Sequence, residues 1–199
     1  MSARPANGPE FWDVILRDIR RENPSIQPII AGGAVRDFIL GGEAKDIDVW
    51  FYKSTRGGPT TATMHKAKRW TRVVPDDEDE NEYASNSRLK MLHNYAFYGW
   101  DVQLIGVDVF PWGWESLVND FNIGLSKMAY DGAVHAHADA LTDIANKTVS
   151  IVKPNAGERL KRCVGKATAL AAKYGFDKSN IIPAAMSVVD DFELEEVPF

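Results

Sequence analysis

The pattern of apolar and polar positions over residues 29–51 predicts a strand, a tight turn, a short helix and a second strand. Two isoleucines form an apolar run that stops at Gly32 and Gly33, which is typical of a strand that ends in a turn. Apolar residues then recur at helical spacing as far as a second pair of glycines. The segment 46–51 has two carboxylates at its start and large apolar residues after them, and we interpret it as the second strand.

Helical spacing and strand-like alternation of apolar residues predict further elements on either side of this stretch. One-sided apolar spacing indicates amphipathic helices, and alternation interrupted by glycine indicates a pair of antiparallel strands. The predicted elements are a helix from Glu10 that ends at Asn23–Pro24, two strands within 88–109 joined near Gly99, a short strand over 149–152, a helix from Asn155 to about Tyr174, a helix over 180–189, and polar loops at 53–59 and 76–82.

Two carboxylates at the start of the second strand form a candidate metal site. Alternate residues of a strand face the same side, so Asp46 and Asp48 project together, with Cα atoms about 6.6 Å apart. A hard cation such as Mg²⁺ binds through one or two carboxylates and leaves its other positions to water and phosphate oxygens. A solvated strand edge is the commoner meaning of such a pair, so the pair alone does not identify a site.

The glycine turn before the helix offers a complementary site for an anion. Without Cβ atoms, Gly32 and Gly33 allow the backbone to approach an anion, and the N–H groups at the start of the next helix carry partial positive charge. A phosphate-binding turn and a metal-binding pair, about a dozen residues apart, suit phosphoryl or nucleotidyl transfer. In such reactions catalysis depends on positioning and charge neutralisation.

Together these residues resemble the signature of the polymerase-beta superfamily of nucleotidyltransferases, in particular that of bacterial-type CCA-adding enzymes and poly(A) polymerases. That signature is GG-x-VRD-x-x-LG followed shortly by DID. The matching residues are Gly32, Gly33, Val35, Arg36, Asp37, Leu40, Gly41, Asp46, Ile47 and Asp48. The resemblance implies an α+β fold in which a mixed sheet is flanked by helices, with a short helical appendage at the C-terminal end.

The resemblance also implies an activity. A nucleoside monophosphate passes from an NTP to an acceptor hydroxyl with release of pyrophosphate, and Mg²⁺ or Mn²⁺ is the cofactor. Gly32, Gly33 and Arg36 would hold the triphosphate. The implied acceptor is a tRNA or other RNA 3′ end, with a protein or a small molecule as open alternatives.

A third carboxylate is expected on a neighbouring strand. In the predicted strand that begins at Trp100, alternate apolar residues share one face and Asp101 lies opposite them. The family has a third acidic residue on a neighbouring strand, so the resemblance implies that Asp101 joins Asp46 and Asp48 as a catalytic and metal-binding residue. Asp108 falls on the other face by parity, and a surface carboxylate remains the alternative for Asp101.

Residues 120–131 resemble the family's second motif, RRDFTIN followed by ALAYD. Asp120, Phe121, Tyr130 and Asp131 match this motif, and Asn122 is assigned to it as well. The resemblance implies that Asp120 and Asn122 bind the nucleotide. Val118 and Asn119 stand in place of the two arginines, which weakens the expected nucleotide binding or its selectivity.

Basic residues recur at helical spacing along the predicted helix 155–174. By resemblance to the helix that selects the base in the family, Arg159, Arg162 and Lys166 are predicted nucleotide-binding residues. The acid that the family uses for this selection is missing, so we predict a phosphate-facing basic stripe rather than discrimination between CTP and ATP. The solvent-facing side of a packed helix is an equally good interpretation.

Composition and charge limit the cellular location and the domain organisation that we expect. The net charge of -5 argues against a general nucleic-acid coat, because non-specific binding needs clustered Lys and Arg. The single cysteine cannot form an internal disulfide, and no stretch is long enough to span a membrane. We therefore predict a cytoplasmic protein with a loose arm over 1–9, a catalytic domain over 10–153, a helical appendage over 154–189 and an acidic tail over 190–199.

A second class of function stays open, namely a catalytically inactive protein that keeps the fold and binds a nucleotide or a partner. The altered second motif favours this alternative. The pair Asp46 and Asp48 opposes it, because two adjacent carboxylates without a cation repel each other. The sequence predicts neither the preferred NTP nor the oligomeric state.

Overall fold

The computed structural model describes residues 4–52, 64, 67–73, 89–108, 111–153, 157–179 and 181. Contacts divide the chain into two compact units. The first unit combines 1–119 with 126–137, and the second combines 120–125 with 138–199. These units do not coincide with the predicted catalytic domain over 10–153 and appendage over 154–189, and that functional division stays a prediction.

The first unit contains a mixed sheet of seven strands among the described residues. The strands are β1 (Pro28–Ala31), β2 (Ile47–Tyr52), β3 (Trp70–Val73), β4 (Leu89–Phe97), β5 (Trp100–Val107), β6 (Met128–Tyr130) and β7 (Val134–Ala136). Their order across the sheet is β3-β4-β5-β2-β1-β6-β7. Neighbours pair antiparallel except β2 and β5, which run parallel. The predicted α+β class with a mixed sheet is confirmed.

Helices occur in both units. Those of the first unit are α1 (Pro9–Glu22), α2 (Gly33–Ile39) and α3 (Trp114–Asn119), and those of the second are α4 (Ala138–Asn146) and α5 (Gly157–Tyr174), in the part of the chain that the structure describes. A 3-10 turn covers Gly124–Ser126. None of the described helices combines the length and the apolar character needed to cross a membrane.

Helix α1 covers one face of the sheet with its apolar side. Phe11 packs against the rings of Phe97 and Trp100, at centroid distances of 5.8 and 6.2 Å. Trp12 packs against Tyr130 at 5.1 Å. Because aromatic side chains bury large apolar areas, these contacts fix α1 on the sheet.

Strand register divides the sheet into two faces. One row of paired residues across four strands consists of Leu104, Val49, Ile30 and Tyr130. Because Tyr130 contacts α1, this row marks the face that α1 covers, which we call the α1 face. Side chains alternate along a strand, so Asp48 and its partner Gln103 lie on the opposite side, which we call the polar face.

The elements whose apolar pattern extends over many residues of the sequence form as predicted. Strand β1, helix α2 and strand β2 confirm the strand, turn, helix and strand of residues 29–51. Strands β4 and β5 pair antiparallel around Gly99, and helix α5 covers most of the predicted helix. That helix ends at Gly175, whose φ of 65° is the left-handed conformation that glycine favours at helix ends.

Other elements differ from the sequence pattern. Strands β3, β6 and β7 and helices α3 and α4 are not predicted, since strands of three or four residues are too short for alternation to be visible. The strand predicted over 149–152 is wrong. Ile151 there makes an isolated bridge with Ile123, although Val149 is buried as its apolar character requires.

Two residues of the loose arm predicted over 1–9 make contacts with the rest of the first unit. Asn7 donates from Nδ2 to the carbonyl of Ala34 at 2.8 Å and accepts at Oδ1 from Trp12 Nε1, also at 2.8 Å. The guanidinium of Arg4 lies 3.3 Å from the ring centroid of Trp100. The predictions that lie outside the described residues concern 1–3, the loops at 53–59 and 76–82, nearly all of the helix at 180–189 and the tail at 190–199.

Candidate active site

Four strands meet at the end of the sheet where β2 begins. Strand β5 runs parallel to β2 and also begins there, whereas β1 is antiparallel and ends there, and β6 begins there. The residues at this end are Gly32, Gly33, Asp46, Asp48, Asp101, Gln103 and Lys127. The predicted metal-binding pair and the glycine turn therefore lie at the same end of one sheet.

Of the three predicted catalytic carboxylates, Asp48 lies on β2, Asp101 lies on the neighbouring strand β5, and Asp46 immediately precedes β2. Asp48 pairs with Gln103. Asp46 comes two residues before Asp48, and Asp101 comes two residues before Gln103. Continuing the same register therefore places Asp46 beside Asp101, with about 4.8 Å between neighbouring strands. Asp46 and Asp48 are half-buried and Asp101 is exposed.

The chemistry of these side chains fits a hard divalent cation. Mg²⁺ accepts one or two carboxylates and completes its shell with water and phosphate oxygens, so Asp46 and Asp48 suffice as protein ligands. Among the described residues, no three His, Cys, Asp or Glu side chains are gathered closely enough to hold a metal ion. The role of Asp101 as a third ligand stays a prediction.

The turn between β1 and α2 requires glycine. Gly32 has φ 92° and ψ -127°, a conformation that side chains disfavour. Its N–H donates to the carbonyl of Met128 at 2.9 Å, and its carbonyl accepts from the N–H of Arg36 at 3.0 Å. No side chain caps α2 at this end. The backbone of Gly32 thus joins the turn to strand β6.

Arg36, predicted to hold the triphosphate, makes contacts within the first unit. Its Nε and Nη2 lie 2.7 and 2.6 Å from Asp37 Oδ1, and its Nη1 donates to Ser126 Oγ at 3.1 Å. The side chains of Arg36 and Asp37 are only 11% and 3% exposed. The ion pair lies within α2 and holds the guanidinium in place, and the hydrogen bond to Ser126 joins α2 to the segment just before β6.

Lys127 is a further residue at this end of the sheet, and the sequence pattern does not identify it. It is 3% exposed, and its carbonyl accepts from the N–H of His137 at 3.0 Å. Ala129 pairs with Ala31, and continuing the register of β1 with β2 sets Ala31 level with Asp48. Lys127, two residues before Ala129, therefore lies on the polar face. The signal in the sequence is a lysine where the ALAYD motif has its first alanine.

The other predicted nucleotide-binding residues belong to the second unit. Asp120 accepts from Lys153 Nζ at 2.7 Å. Asn122 donates from Nδ2 to Cys163 Sγ at 3.6 Å. Arg159, Arg162 and Lys166 are exposed along α5. Their role in nucleotide binding stays a prediction.

A buried carboxylate organises part of the second unit. Asp143 is 1% exposed and accepts at Oδ2 from Ser150 N at 3.1 Å and Ser150 Oγ at 3.0 Å, and at Oδ1 from Thr148 Oγ1 at 3.2 Å. Burial raises the pKa of Asp143 above its ordinary value, and the hydrogen bonds from Ser150 act in the opposite direction. These bonds hold together the segment that follows α4, so we assign Asp143 a structural role.

A tyrosine on the α1 face joins β6 to α1. Tyr130 donates from its hydroxyl to Asp13 Oδ1 at 2.7 Å. Burial, followed by this hydrogen bond and the negative charge of Asp13, raises the pKa of Tyr130 to about 12. Tyr130 thus stays protonated at neutral pH and holds the helix to the sheet.

The fold is similar to that of solved nucleotidyltransferases. A Thermotoga maritima CCA-adding enzyme complexed with tRNA is 13% identical with a TM-score of 0.60, over 85% of this chain and 39% of that one. A Bacillus stearothermophilus CCA-adding enzyme in complex with CTP is 15% identical with a TM-score of 0.58, over 92% of this chain and 43% of that one. A tRNA nucleotidyltransferase with a primer tRNA and an incoming ATP analog is 16% identical with a TM-score of 0.55, over 87% of this chain and 48% of that one.

These similarities show the nucleotidyltransferase-like fold. The chain spans less than half the length of each of these three structures. No curated protein matches the chain. A family model matches residues 10–147, which include the whole described sheet and its glycine turn, and the chain belongs to the Gabija anti-defense 2 family.

Proposed function

We propose that the protein is a metal-dependent nucleotidyltransferase, which transfers a nucleoside monophosphate from an NTP to an acceptor hydroxyl and releases pyrophosphate. The observation that carries this proposal is the common location of Asp46, Asp48 and the glycine turn at one end of the sheet. A nucleotidyltransferase-like fold supports it. The anti-defense description of the family supports a role in which this transfer counteracts Gabija defence.

Asp46 and Asp48 would hold Mg²⁺ or Mn²⁺, with Asp101 as a further ligand. The bound cation would neutralise negative charge on the reacting phosphates. Half-burial of Asp46 and Asp48 would reduce competition from water for the cation. The exposed position of Asp101 on the neighbouring strand leaves it accessible to an incoming hydroxyl group.

The glycine turn and Lys127 would bind the polyphosphate of the NTP. The turn follows β1 and Lys127 precedes β6, and in the sheet β1 lies next to β2 on the side away from β5, with β6 next to β1. A lysine is a compact point charge, and it stabilises phosphate oxygens strongly where water is excluded. Arg36 and Asp37 would act here as positioning residues, because Arg36 donates to Ser126 Oγ and the ion pair with Asp37 holds its guanidinium.

The acceptor class is supported by the relatives with the same fold. Two of the similar structures carry tRNA, which favours an RNA 3′ end as the acceptor. A protein hydroxyl is the alternative acceptor. Transfer to either acceptor would require the same two carboxylates, Asp46 and Asp48. It would also require the same binding of the NTP by the glycine turn and Lys127.

A catalytically inactive nucleotide- or partner-binding protein is the second candidate. Two observations favour it: Val118 and Asn119 replace the motif's arginines, and no three metal-binding side chains are gathered among the described residues. In this case the protein would bind an NTP without releasing pyrophosphate.

The test is to incubate the protein with each α-labelled NTP and Mg²⁺ in extracts of cells that contain or lack the Gabija defence proteins. We expect one macromolecule to become labelled, and digestion with ribonuclease or with protease identifies its class. Label in ribonuclease-sensitive material supports an RNA acceptor, and label in protease-sensitive material supports a protein acceptor. Binding of an NTP with no label in any extract would favour the inactive alternative.

A further inference from the structure

The exposed charged residues of α5 whose side chains are described are all basic. Five basic residues on this helix are exposed, and the other exposed residues with described side chains are glycine or alanine. The basic residues are Arg159, Lys161, Arg162, Lys166 and Lys173. The opposite side is buried through Cys163, Ala167 and Ala171. We call the exposed side the α5 basic face.

Helix α1 shows what an ordinary solvated helix of this protein looks like. Its exposed residues carry both signs, since Glu10 and Asp13 are exposed along with its arginines. Arg21 lies 3.3 Å from both Asp18 Oδ1 and Glu22 Oε1. Mixed signs at helical spacing are typical of a helix face that only meets water. On α5 the exposed charged residues with described side chains are all basic, and in this the helix differs from α1.

The length of the α5 basic face fits an extended polyanion better than a single nucleotide. Arg159 and Lys173 are separated by about 21 Å along the helix axis. A strand of nucleic acid carries one phosphate per nucleotide, so an extended strand of several nucleotides fits along this length. The three phosphates of an NTP cover only part of it.

Small residues between the cations allow a close approach. Gly165, Ala169 and Ala172 are exposed on the same helix and carry no long side chains. A phosphate backbone can therefore lie close to the helix while the flexible basic side chains reach its oxygens.

We propose that the α5 basic face binds the phosphate backbone of a single-stranded nucleic acid. This rests on the proposed function in one respect, which is that the bound strand would be the acceptor. The negative net charge of the whole protein does not oppose it, because a local basic surface is sufficient for backbone binding at moderate salt.

The test measures binding of labelled 20-nucleotide RNA and DNA single strands to the full chain by fluorescence anisotropy, without NTP, over a range of salt. Arg162→Gln with Lys166→Gln should lower affinity about tenfold and reduce the slope of log affinity against log salt by about 1.4. Arg17→Gln with Arg20→Gln removes the same charge from the exposed side of α1 and should change affinity less than twofold. Circular dichroism should show both double variants folded, because all four residues are exposed.

Equal losses in the two double variants would overturn the proposal, since they would show an effect of total charge alone. Failure of the wild type to bind either strand at low salt would also overturn it, as would equally tight binding of a polyglutamate peptide. Tighter binding of RNA than DNA would support the proposal and identify RNA as the strand. Binding by a protein that transfers no nucleotide would support this inference and contradict the proposed function, so the two failures are distinguishable.

Discussion

Asp48 of β2 and Gln103 of β5 are paired across parallel strands, on the side of the sheet opposite α1. This pairing sets Asp46 and Asp48 beside the strand that carries Asp101. It also sets them at the end of the sheet where the glycine turn and Lys127 lie. A short stretch of sequence therefore builds most of the proposed site, and the strands on either side add one residue each.

Replacing Lys127 by methionine should weaken NTP binding more than NMP binding. The lysine is proposed to contact the polyphosphate, and a charge-assisted hydrogen bond contributes about 1.5–3 kcal/mol, which corresponds to a loss of about tenfold or more for the NTP. Titration calorimetry with an NTP and the matching NMP checks this.

The control for Lys127→Met is Lys90→Gln, on an exposed position of β4. This variant should bind both nucleotides as the wild type does. An equal loss of NTP and NMP binding in Lys127→Met, in a protein whose thermal unfolding is unchanged, would contradict the assignment.

Gly124→Ala should destabilise the protein by about 2–3 kcal/mol. A Cβ at this position would collide with Ser150 Oγ and lie 2.7 Å from Asp143 Oδ2, so the hydrogen bonds of the buried carboxylate would have to move. Denaturant unfolding at neutral pH measures the change in the free energy of unfolding.

Gly165→Ala is the matched control, with an expected effect of opposite sign. A Cβ on Gly165 meets open space, and alanine within a helix is more favourable than glycine by about 0.5–1 kcal/mol. A neutral Gly124→Ala would mean that the environment of Asp143 is looser than described.

Tyr130→Phe should make stability less sensitive to alkaline pH. The folded-state pKa of about 12 lies above the ordinary value of 10, so the protonated hydroxyl contributes stability that is complete below about pH 10 and lost as the pH rises through 12. Near neutral pH the wild type should exceed the variant by about 1 kcal/mol in unfolding free energy.

This difference between wild type and Tyr130→Phe should shrink between pH 10 and 12, as measured by denaturant unfolding at several pH values. Asp13→Asn should show an intermediate loss, because it removes the negative charge and keeps an oxygen acceptor. A difference that stays constant up to pH 12 would show that Tyr130 ionises with the same pKa in the folded and unfolded chain.

The sequence predicts those parts of the fold whose periodicity is long enough to be visible. Helix α1, the segment from β1 to β2 and the hairpin of β4 and β5 form as predicted, since each carries its own apolar pattern. Strands β6 and β7 have three residues each and gain stability from their neighbours in the sheet, which local pattern does not reveal.

The residues of the candidate site, like the fold, were predicted from the sequence only in part. Asp46, Asp48 and the glycine turn follow from spacing along the chain and from motif resemblance. Lys127 does not, because its burial and its place on the polar face depend on the pairing of β6 with β1. The internal ion pair of Arg36 with Asp37 is likewise a tertiary feature, and the motif alone suggests only a basic residue near phosphate.

The central claim is that Asp46 and Asp48 support nucleotidyl transfer, and Asp48→Asn tests it most directly. Asparagine keeps the shape of the side chain and removes the charge that a divalent cation needs. Asp108→Asn, an exposed carboxylate just beyond the far end of β5, is the control.

The decisive measurement is pyrophosphate release from an NTP with Mg²⁺ and the labelled acceptor, with thermal unfolding recorded for each variant. We predict that Asp48→Asn lowers the rate at least about a hundredfold without lowering the unfolding temperature, and that Asp108→Asn keeps the wild-type rate. Release at the wild-type rate by a folded Asp48→Asn protein would contradict the account.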